Sequence, residues 1–236
     1  MLNSKEVHED VKKRAKWYLD NIVSVGSYTH TMGAAIVRES VAKYIAKNDQ
    51  VPKPSIDQIF LTEGAGQGAQ LLIQMLMCSQ SDGIMIPIPQ YPLYSAAITL
   101  AGAQSIPYYL DEESGWQLKF EELLESYNQA VKKGTRVRAI VVINPGNPTG
   151  AIFREETIRN IIRFSVEKKL VLIADEVYRD NIYKEGVKFL SFRAVLEKME
   201  DHYKNTCELA SLHSVSKGLT GECGFRGGYL YIHNFC

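Results

Sequence analysis

The spacing of apolar residues divides the chain near residue 50. Before that point, residues 5–22 and 35–47 carry apolar side chains three and four positions apart, which predicts two amphipathic helices. The apolar face of the first helix comprises Val7, Val11, Ala15, Tyr18, Leu19 and Ile22. We expect the second helix to bury Ile36, Val37, Val41, Tyr44 and Ile45. Pro52 and Pro54 then close a helical N-terminal part, residues 1–50.

From residue 51 onward, short β-branched runs alternate with longer helical patterns. Strands are predicted at residues 59–62, 84–88, 104–109, 138–143, 170–174, 208–212 and 229–233. Helices are predicted at residues 69–78, 93–101, 119–132 and 155–167. Helical crossovers connect parallel strands and cover both faces of their sheet. We therefore predict an α/β fold, a three-layer sandwich around a mostly parallel sheet, with residues 51–236 forming its core.

Glycines and polar residues collect where the predicted strands end. They are residues 64–68, Tyr91, Asn144, Asn147, Asp175, Tyr178 and Lys217. Ligands of open α/β sheets bind at the carboxyl ends of the strands. We expect these residues to meet in one binding site.

The composition narrows the kind of ligand. Of the 236 residues, 45% are hydrophobic and 23% are charged, with 27 basic and 27 acidic side chains. A chain without net charge has no overall field that attracts nucleic acid or an anionic membrane. We therefore expect neither of those partners, and a small molecule instead.

The cysteines and the N-terminus set the expected compartment. Cys78, Cys207, Cys223 and Cys236 are scattered, and the five histidines show no paired spacing, so neither a disulfide framework nor a metal site is predicted. The first twenty residues mix lysines with carboxylates, unlike a secretory signal. No run approaches the ~20 apolar residues of a membrane span. A reducing, cytoplasmic compartment is the default expectation.

Residues 64–69, GAGQGA, stand between a predicted strand and a predicted helix. Such a segment offers backbone N–H groups at a helix N-terminus, which is a natural seat for phosphate. It also fits the dinucleotide pattern, but that reading requires an acidic residue at the end of the next strand, where Gln90 and Tyr91 stand. A phosphate without a ribose fits better. A glycine turn that serves close packing alone is the alternative.

Two charged residues occupy unusual positions. Asp175 follows five apolar residues, so its carboxylate is expected to be partly buried and to require a cation or an N–H partner. Lys217 lies between Ser214, Ser216 and Gly218, where a strand gives way to glycines. The two residues form either a structural salt bridge or separate parts of a site in which Asp175 binds a protonated heterocycle. A lysine taken alone is usually a solvated surface group.

The remaining candidates supply the other contacts of a single ligand. They are the Asn147 amide, the Tyr178 phenol, the Tyr91 ring, the Ser214 and Ser216 hydroxyls and the Arg226 guanidinium. Arginine binds anions through two parallel hydrogen bonds, and tyrosine stacks on flat rings. A phosphate, a flat ring, a ring nitrogen, a ring hydroxyl and an aldehyde for Lys217 together describe pyridoxal phosphate. We therefore predict that cofactor.

Four motifs resemble those of the alanine aminotransferases, within the fold type I class of pyridoxal-phosphate enzymes. They are PQYPLYSA, VVINPGNPTG, ADEVYRDNIY and SVSKGLTGECGFRGGY, and the resemblance covers essentially the whole chain. It implies that Lys217 is the lysine that bonds to the cofactor and that Asp175 is the partner of the ring nitrogen. It also implies that Asn147 and Tyr178 bind the ring oxygen and that Tyr91 stacks on the ring.

The resemblance also assigns the phosphate and a subunit contact. Ala65, Gly66 and Gln67 match the phosphate-binding turn, where many relatives have a serine at the position of Gly66. Further phosphate contacts are implied for Ser214, Ser216 and Arg226. Tyr28 is similar to the tyrosine that class members lend to the cofactor of the neighbouring subunit, which implies a homodimer.

The implied reaction is transamination, in which L-alanine and 2-oxoglutarate give pyruvate and L-glutamate. Because relatives are longer, residues 1–236 are expected to be the cofactor-binding large domain, truncated at both ends and without the small domain. The arginine that binds the substrate carboxylate lies in that missing portion. A mitochondrial location stays open. So do three other functions: a non-catalytic fragment that keeps the fold, another fold type I enzyme such as a cyclopropane-forming synthase or a kynurenine-type transaminase, and, more distantly, a nicotinamide dehydrogenase.

Overall fold

The computed structural model describes residues 2–22, 24, 26–218 and 221–235. Leu219 and Thr220, which belong to the glycine-rich segment predicted around Lys217, lie outside the described residues. Cys236, one of the four scattered cysteines, lies outside them as well.

Seven strands form one sheet. They are β1 (Ile59–Thr62), β2 (Asp82–Ile88), β3 (Gln104–Tyr109), β4 (Arg136–Ile143), β5 (Val171–Asp175), β6 (Leu209–Ser214) and β7 (Gly228–His233). Their spatial order is β1-β7-β6-β5-β4-β2-β3. Strand β7 runs antiparallel to β1 and β6, while the four remaining pairs are parallel. The predicted mostly parallel sheet is confirmed.

Eight α-helices accompany the sheet in the described ranges. They are α1 (Glu9–Asn21), α2 (Ala35–Asp49), α3 (Ala65–Leu76), α4 (Leu93–Leu100), α5 (Phe120–Lys132), α6 (Glu155–Lys168), α7 (Phe192–Leu196) and α8 (Asp201–Thr206). The sequence pattern did not predict α7, α8 or the short 3₁₀ helices Ile56–Gln58 and Cys223–Phe225. None of the helices in the described part is long and apolar enough to cross a membrane.

Helix α3 begins at Ala65, four residues earlier than predicted, so the glycines form its first turn. Glycine weakens an isolated helix, but close packing against the sheet overrides that preference here. A Cβ atom on Gly68 would lie 2.8 Å from Leu212 Cδ2 on β6. The absence of a side chain therefore lets the helix start directly on the sheet.

Alternate residues of the central strands face two different helical layers. On β4, Ile140 and Val142 belong to the core beneath α5, α6 and α7. Ala139, Val141 and Ile143 belong to the core beneath α3 and α4. Since successive side chains of a strand point to opposite faces, both faces of the sheet are covered. This arrangement confirms the three-layer sandwich.

The N-terminal helices deviate from the expected burial. Helix α2 packs on β1 and β7 through Ala42 and Ile45. The predicted burial was wrong for Ile36, Val37, Val41 and Tyr44, which are half-buried. Arg38 is buried on this face instead, because its guanidinium donates to the backbone carbonyls of Gly33 and Ile56. Helix α1 buries no residue fully.

The register of the sheet aligns the strand ends that carry the predicted site. Ile143 on β4 is opposite Asp175 on β5, and Asp175 is opposite Leu212 on β6. Ser214, two residues farther along β6, is opposite Gly228 at the start of β7. The segments that follow β4, β5 and β6 therefore leave the sheet at one edge.

Candidate active site

A cleft of about 190 Å³ opens at this edge of the sheet. Ten of the predicted site residues line it: Ala65, Gly66, Tyr91, Asn147, Asp175, Tyr178, Ser214, Ser216, Lys217 and Arg226. Leu93, Ile143 and Val177 complete its wall. Five strands or the segments that follow them contribute to the cleft, so the fold brings together residues far apart in the chain.

Asp175, the last residue of β5, is buried at the cleft. Its Oδ2 accepts a hydrogen bond of 2.7 Å from the Tyr94 hydroxyl, and its Oδ1 accepts one of 3.3 Å from the backbone N–H of Val177. Burial raises the pKa of Asp175, although these two donors and the charge of Lys217 act in the opposite direction. The carboxylate is thus short of positive charge, and a cationic ligand would stabilise it.

Tyr94 is a part of the site that the sequence interpretation missed. Its side chain is fully buried on α4. Its hydroxyl donates a hydrogen bond to Asp175, which is 81 positions away in the sequence. No signal in the sequence points to this contact, because Tyr94 lies on a predicted helix and its partner is far away in the chain.

Lys217 is half-buried at the rim of the cleft rather than on the open surface. Its ammonium lies 5.7 Å from the ring centroid of Tyr178. It forms no ion pair with Asp175, whose described hydrogen-bond partners are Tyr94 and Val177. The structural salt bridge considered above is therefore not formed, and the amine stays available to a ligand.

Asn147 and Tyr178 meet on the wall of the cleft. The Asn147 side-chain amide donates to the Tyr178 hydroxyl over 3.3 Å. One residue comes from the loop after β4 and the other from the turn after β5. Their polar ends are therefore held together at one point, where both can reach the same oxygen of a ligand.

The N-terminus of α3 forms the opposite end of the cleft. Gly64 precedes the helix with φ +81° and provides no side-chain cap, so the first N–H groups of the helix are open to a ligand. Arg226 donates to the carbonyl of Glu63 at 3.0 Å and to the Ser216 hydroxyl at 3.4 Å. A Cβ atom on Gly64 would lie 2.7 Å from the guanidinium of Arg226. The positive charge of Arg226 and the free N–H donors of α3 therefore form an anion-binding site.

Two predicted residues do not line the cleft. Gln67 turns its side chain back to accept a 2.7 Å hydrogen bond from the N–H of Glu63, and so fixes the turn before α3. Tyr28 is fully exposed on the segment before α2. In the described ranges, no group of histidine, cysteine and carboxylate side chains is arranged to hold a metal ion.

The aminotransferase class I and II family matches residues 2–234 of the chain. The chain belongs to this family. It is 47% identical over 226 residues to a probable mitochondrial alanine aminotransferase of Dictyostelium discoideum, covering 95% of this chain and 42% of that protein. It is 45% identical over 239 residues to alanine aminotransferase 1 of Bos taurus, covering 99% of this chain and 48% of that protein. The chain thus spans about half the length of the curated relatives that it matches.

Solved structures share the fold. An alanine aminotransferase from Pyrococcus furiosus superimposes with a TM-score of 0.74 at 25% identity, covering 92% of this chain and 51% of that one. A Thermus thermophilus aspartate aminotransferase variant gives a TM-score of 0.76 at 21% identity, covering 96% of this chain and 53% of that one. The expected fold type I architecture is confirmed.

Pyridoxal phosphate is the cofactor of this family, and the residues of the cleft fit it. The buried Asp175 lacks a full cationic partner, which a protonated ring nitrogen would supply. The uncapped N-terminus of α3, with Arg226 beside it, suits a phosphate. The Lys217 amine suits an aldehyde, because primary amines form Schiff bases with carbonyl compounds.

Proposed function

We propose that the chain is the cofactor-binding part of an alanine aminotransferase, which transfers the amino group of L-alanine to 2-oxoglutarate and produces pyruvate and L-glutamate. The supporting observation is that Lys217, Asp175, Asn147 and Tyr178 line the same cleft at the end of the sheet. The names of the relatives support the choice of alanine as amino donor.

Each residue of the cleft then has a distinct task. Asp175 would keep a proton on the ring nitrogen of pyridoxal phosphate, Asn147 and Tyr178 would bind its ring oxygen, and Tyr91 would lie against the ring. When bound, the cofactor supplies an electron-poor ring that stabilises negative charge at the substrate Cα. Lys217 Nζ would be the amine that holds the cofactor aldehyde and, when free, the base that accepts the proton from the substrate Cα.

The phosphate group of pyridoxal phosphate is assigned to the first turn of α3. The N–H groups of Ala65, Gly66 and Gln67 lie at the helix start, and the phosphate site is completed by Ser214 at the end of β6 and by Ser216 and Arg226 from the segment between β6 and β7. This assignment keeps Gln67 as a backbone contributor, because its side chain is bound to Glu63.

We also propose a homodimer and a cytoplasmic location. The homodimer is supported by the full exposure of Tyr28 and by exposed apolar side chains on α1, namely Val11, Tyr18 and Leu19. The location is supported by the free thiols of Cys78, Cys207 and Cys223 among the described residues, which suit a reducing compartment. Sedimentation of the chain with added cofactor, and fractionation of its source cells against a mitochondrial alternative, would decide these two points.

The proposed function is tested by an absorbance scan of the purified chain with added pyridoxal phosphate. We expect a visible band from Lys217-linked cofactor, followed by alanine-dependent formation of pyruvate in the presence of 2-oxoglutarate. L-aspartate, L-tyrosine and L-kynurenine serve as competing donors. The same assay on the chain extended by its flanking coding sequence separates cofactor binding from turnover. Absence of a band in both proteins would contradict the proposal.

Gly66→Ser is expected to tighten the binding of pyridoxal phosphate about fivefold, because one more hydroxyl contributes about 1 kcal/mol at the phosphate. A Cβ atom on Gly66 would meet only Leu93 Cδ2, at 3.7 Å, so a side chain fits without strain. Gly66→Ala is the matched control, since it fills the same space and gains helix propensity without a hydroxyl. Equal affinities of the two variants, measured by fluorescence titration, would remove Gly66 from the phosphate seat.

A further inference from the structure

Asn181 joins the two chain segments that carry Tyr178 and Lys217. Its side-chain Oδ1 accepts a hydrogen bond of 3.0 Å from the N–H of Gly218, the residue directly after Lys217. Its own backbone N–H donates to the carbonyl of Tyr178 over 2.8 Å. Asn181 therefore links the backbone at Tyr178 to the backbone at Gly218.

The neighbouring Asp180 encloses the same glycine. Gly218 has φ +75°, and a Cβ atom on it would lie 3.3 Å from Asp180 Oδ2. That carboxylate oxygen also accepts a hydrogen bond of 3.3 Å from the Tyr44 hydroxyl of α2. Gly218 is thus held in a conformation that favours glycine, with its N–H satisfied and little room for a side chain.

This anchoring matters because the lysine side chain itself has little rigidity. Four rotatable bonds separate the Lys217 backbone from its amine, so a moving backbone would spread the amine over many positions. Groups that react must be held close to the productive geometry, and ordering them in advance lowers the entropic cost of the reaction. A fixed backbone next to Lys217 limits where the amine can go.

We propose that Asn181 is a positioning residue for Lys217, which holds the Gly218 backbone so that the lysine amine stays in the cleft beside Tyr178. The role of the amine rests on the proposed function. The anchoring itself rests on the Asn181–Gly218 hydrogen bond and can be measured without cofactor.

Three variants separate the contacts of Asn181. Asn181→Ala removes both side-chain hydrogen bonds, whereas Asn181→Asp keeps an acceptor for the Gly218 N–H. The outer contact, from Asn181 Nδ2 to the Tyr183 hydroxyl at 2.9 Å, is removed alone by Tyr183→Phe. Tyr183 is highly exposed, so its variant is a control for loss of the outer bond.

Two measurements are made on the protein without cofactor. Loss of one hydrogen bond of about 1 kcal/mol predicts that Asn181→Ala speeds amide exchange at Gly218 about fivefold. Acetylation of Lys217 by acetic anhydride, mapped by mass spectrometry, is expected to accelerate by a similar factor. Asn181→Asp and Tyr183→Phe are expected to match the wild type. Unchanged exchange and acetylation in Asn181→Ala would overturn the proposal.

The third measurement uses saturating pyridoxal phosphate and follows the rate at which the visible band appears. We expect Asn181→Ala to slow this rate about fivefold while the dissociation constant of the cofactor stays within about twofold, and Asn181→Asp to restore the rate. A merely structural role would instead change the rate, the affinity and the unfolding temperature together, without rescue by Asp, and would contradict positioning. If the wild type gives no band, the proposed function fails, and exchange and acetylation still decide the anchoring.

Discussion

Lys217→Ala is expected to abolish the visible band that pyridoxal phosphate gives with the wild-type chain. The variant lacks the amine that bonds to the aldehyde, and the described cleft holds Lys217 as its amine-bearing residue. Cofactor binding itself should persist in weakened form, because the seat at α3, Asp175 and Tyr178 is intact. Turnover should fall by about 10⁴-fold, the upper range for loss of a general base. Absorbance and fluorescence titrations report the two effects separately.

Lys184→Ala is the matched control, because Lys184 is an exposed lysine on the segment that follows β5. Its band and its cofactor affinity should equal those of the wild type. A band of wild-type intensity in Lys217→Ala, lost instead in the control, would mean that another lysine bonds to the cofactor. The site would then have to be placed elsewhere on the sheet edge.

The fold was largely predictable because its central strands β4, β5 and β6 are mostly buried on both faces and read as continuous apolar runs. Strands β1 and β3 have the predicted boundaries, and the other strands start or end within two residues of theirs. Helices α7 and α8 were missed because five and six residues are too few to show helical periodicity. Arg38 also broke the expected burial pattern, since one of the carbonyls that bind it, that of Ile56, is 18 positions away and only the folded chain brings it near.

Residues of the cleft that would contact a ligand could be predicted from the sequence. Residues that hold other parts of the protein in place were harder to predict. Lys217 and Asp175 stand out because a charged group next to an apolar strand calls for a partner. Tyr94 and Asn181 carry no such signal, since each serves a group distant in sequence, 81 positions away for Asp175 and 37 for Gly218. A tyrosine or an asparagine has an ordinary structural role in most places, so tertiary contacts were needed to assign them.

Asp175→Asn is expected to stabilise the protein in the absence of cofactor at neutral pH. Burial raises the pKa of Asp175 above its ordinary value, so folding is penalised once the carboxyl of the unfolded chain ionises. A neutral amide avoids this penalty, and its oxygen still accepts the hydrogen bond from Tyr94 at the expense of the longer one from Val177. Thermal unfolding of the two proteins at pH 7 measures the difference directly.

The pH dependence of this difference has a definite sign. Because the folded-state pKa is raised, the contribution of Asp175 to stability is fully present below its ordinary value of about 4 and is lost as pH rises through the raised value. The advantage of Asp175→Asn should therefore be absent at low pH and grow toward neutrality. An advantage that is constant with pH would show that packing, rather than ionisation, distinguishes the two side chains.

Saturating pyridoxal phosphate should reverse the order of stability, because only the wild-type carboxylate can pair with a protonated ring nitrogen. Loss of a buried charge pair costs about 3–5 kcal/mol, which corresponds to roughly 10²–10⁴-fold in turnover if it is lost from the transition state. Ligand binding to the folded protein should accordingly raise the unfolding temperature of the wild type more than that of Asp175→Asn.

Tyr94→Phe separates the charge of Asp175 from its placement. The variant keeps the carboxylate and removes its 2.7 Å hydrogen bond, so the pKa of Asp175 should rise further and turnover should fall less than in Asp175→Asn. Its stability should still increase on addition of cofactor, since the charge remains. If Tyr94→Phe and Asp175→Asn respond identically to cofactor, then the carboxylate acts through its position alone, and its assignment to the ring nitrogen is wrong.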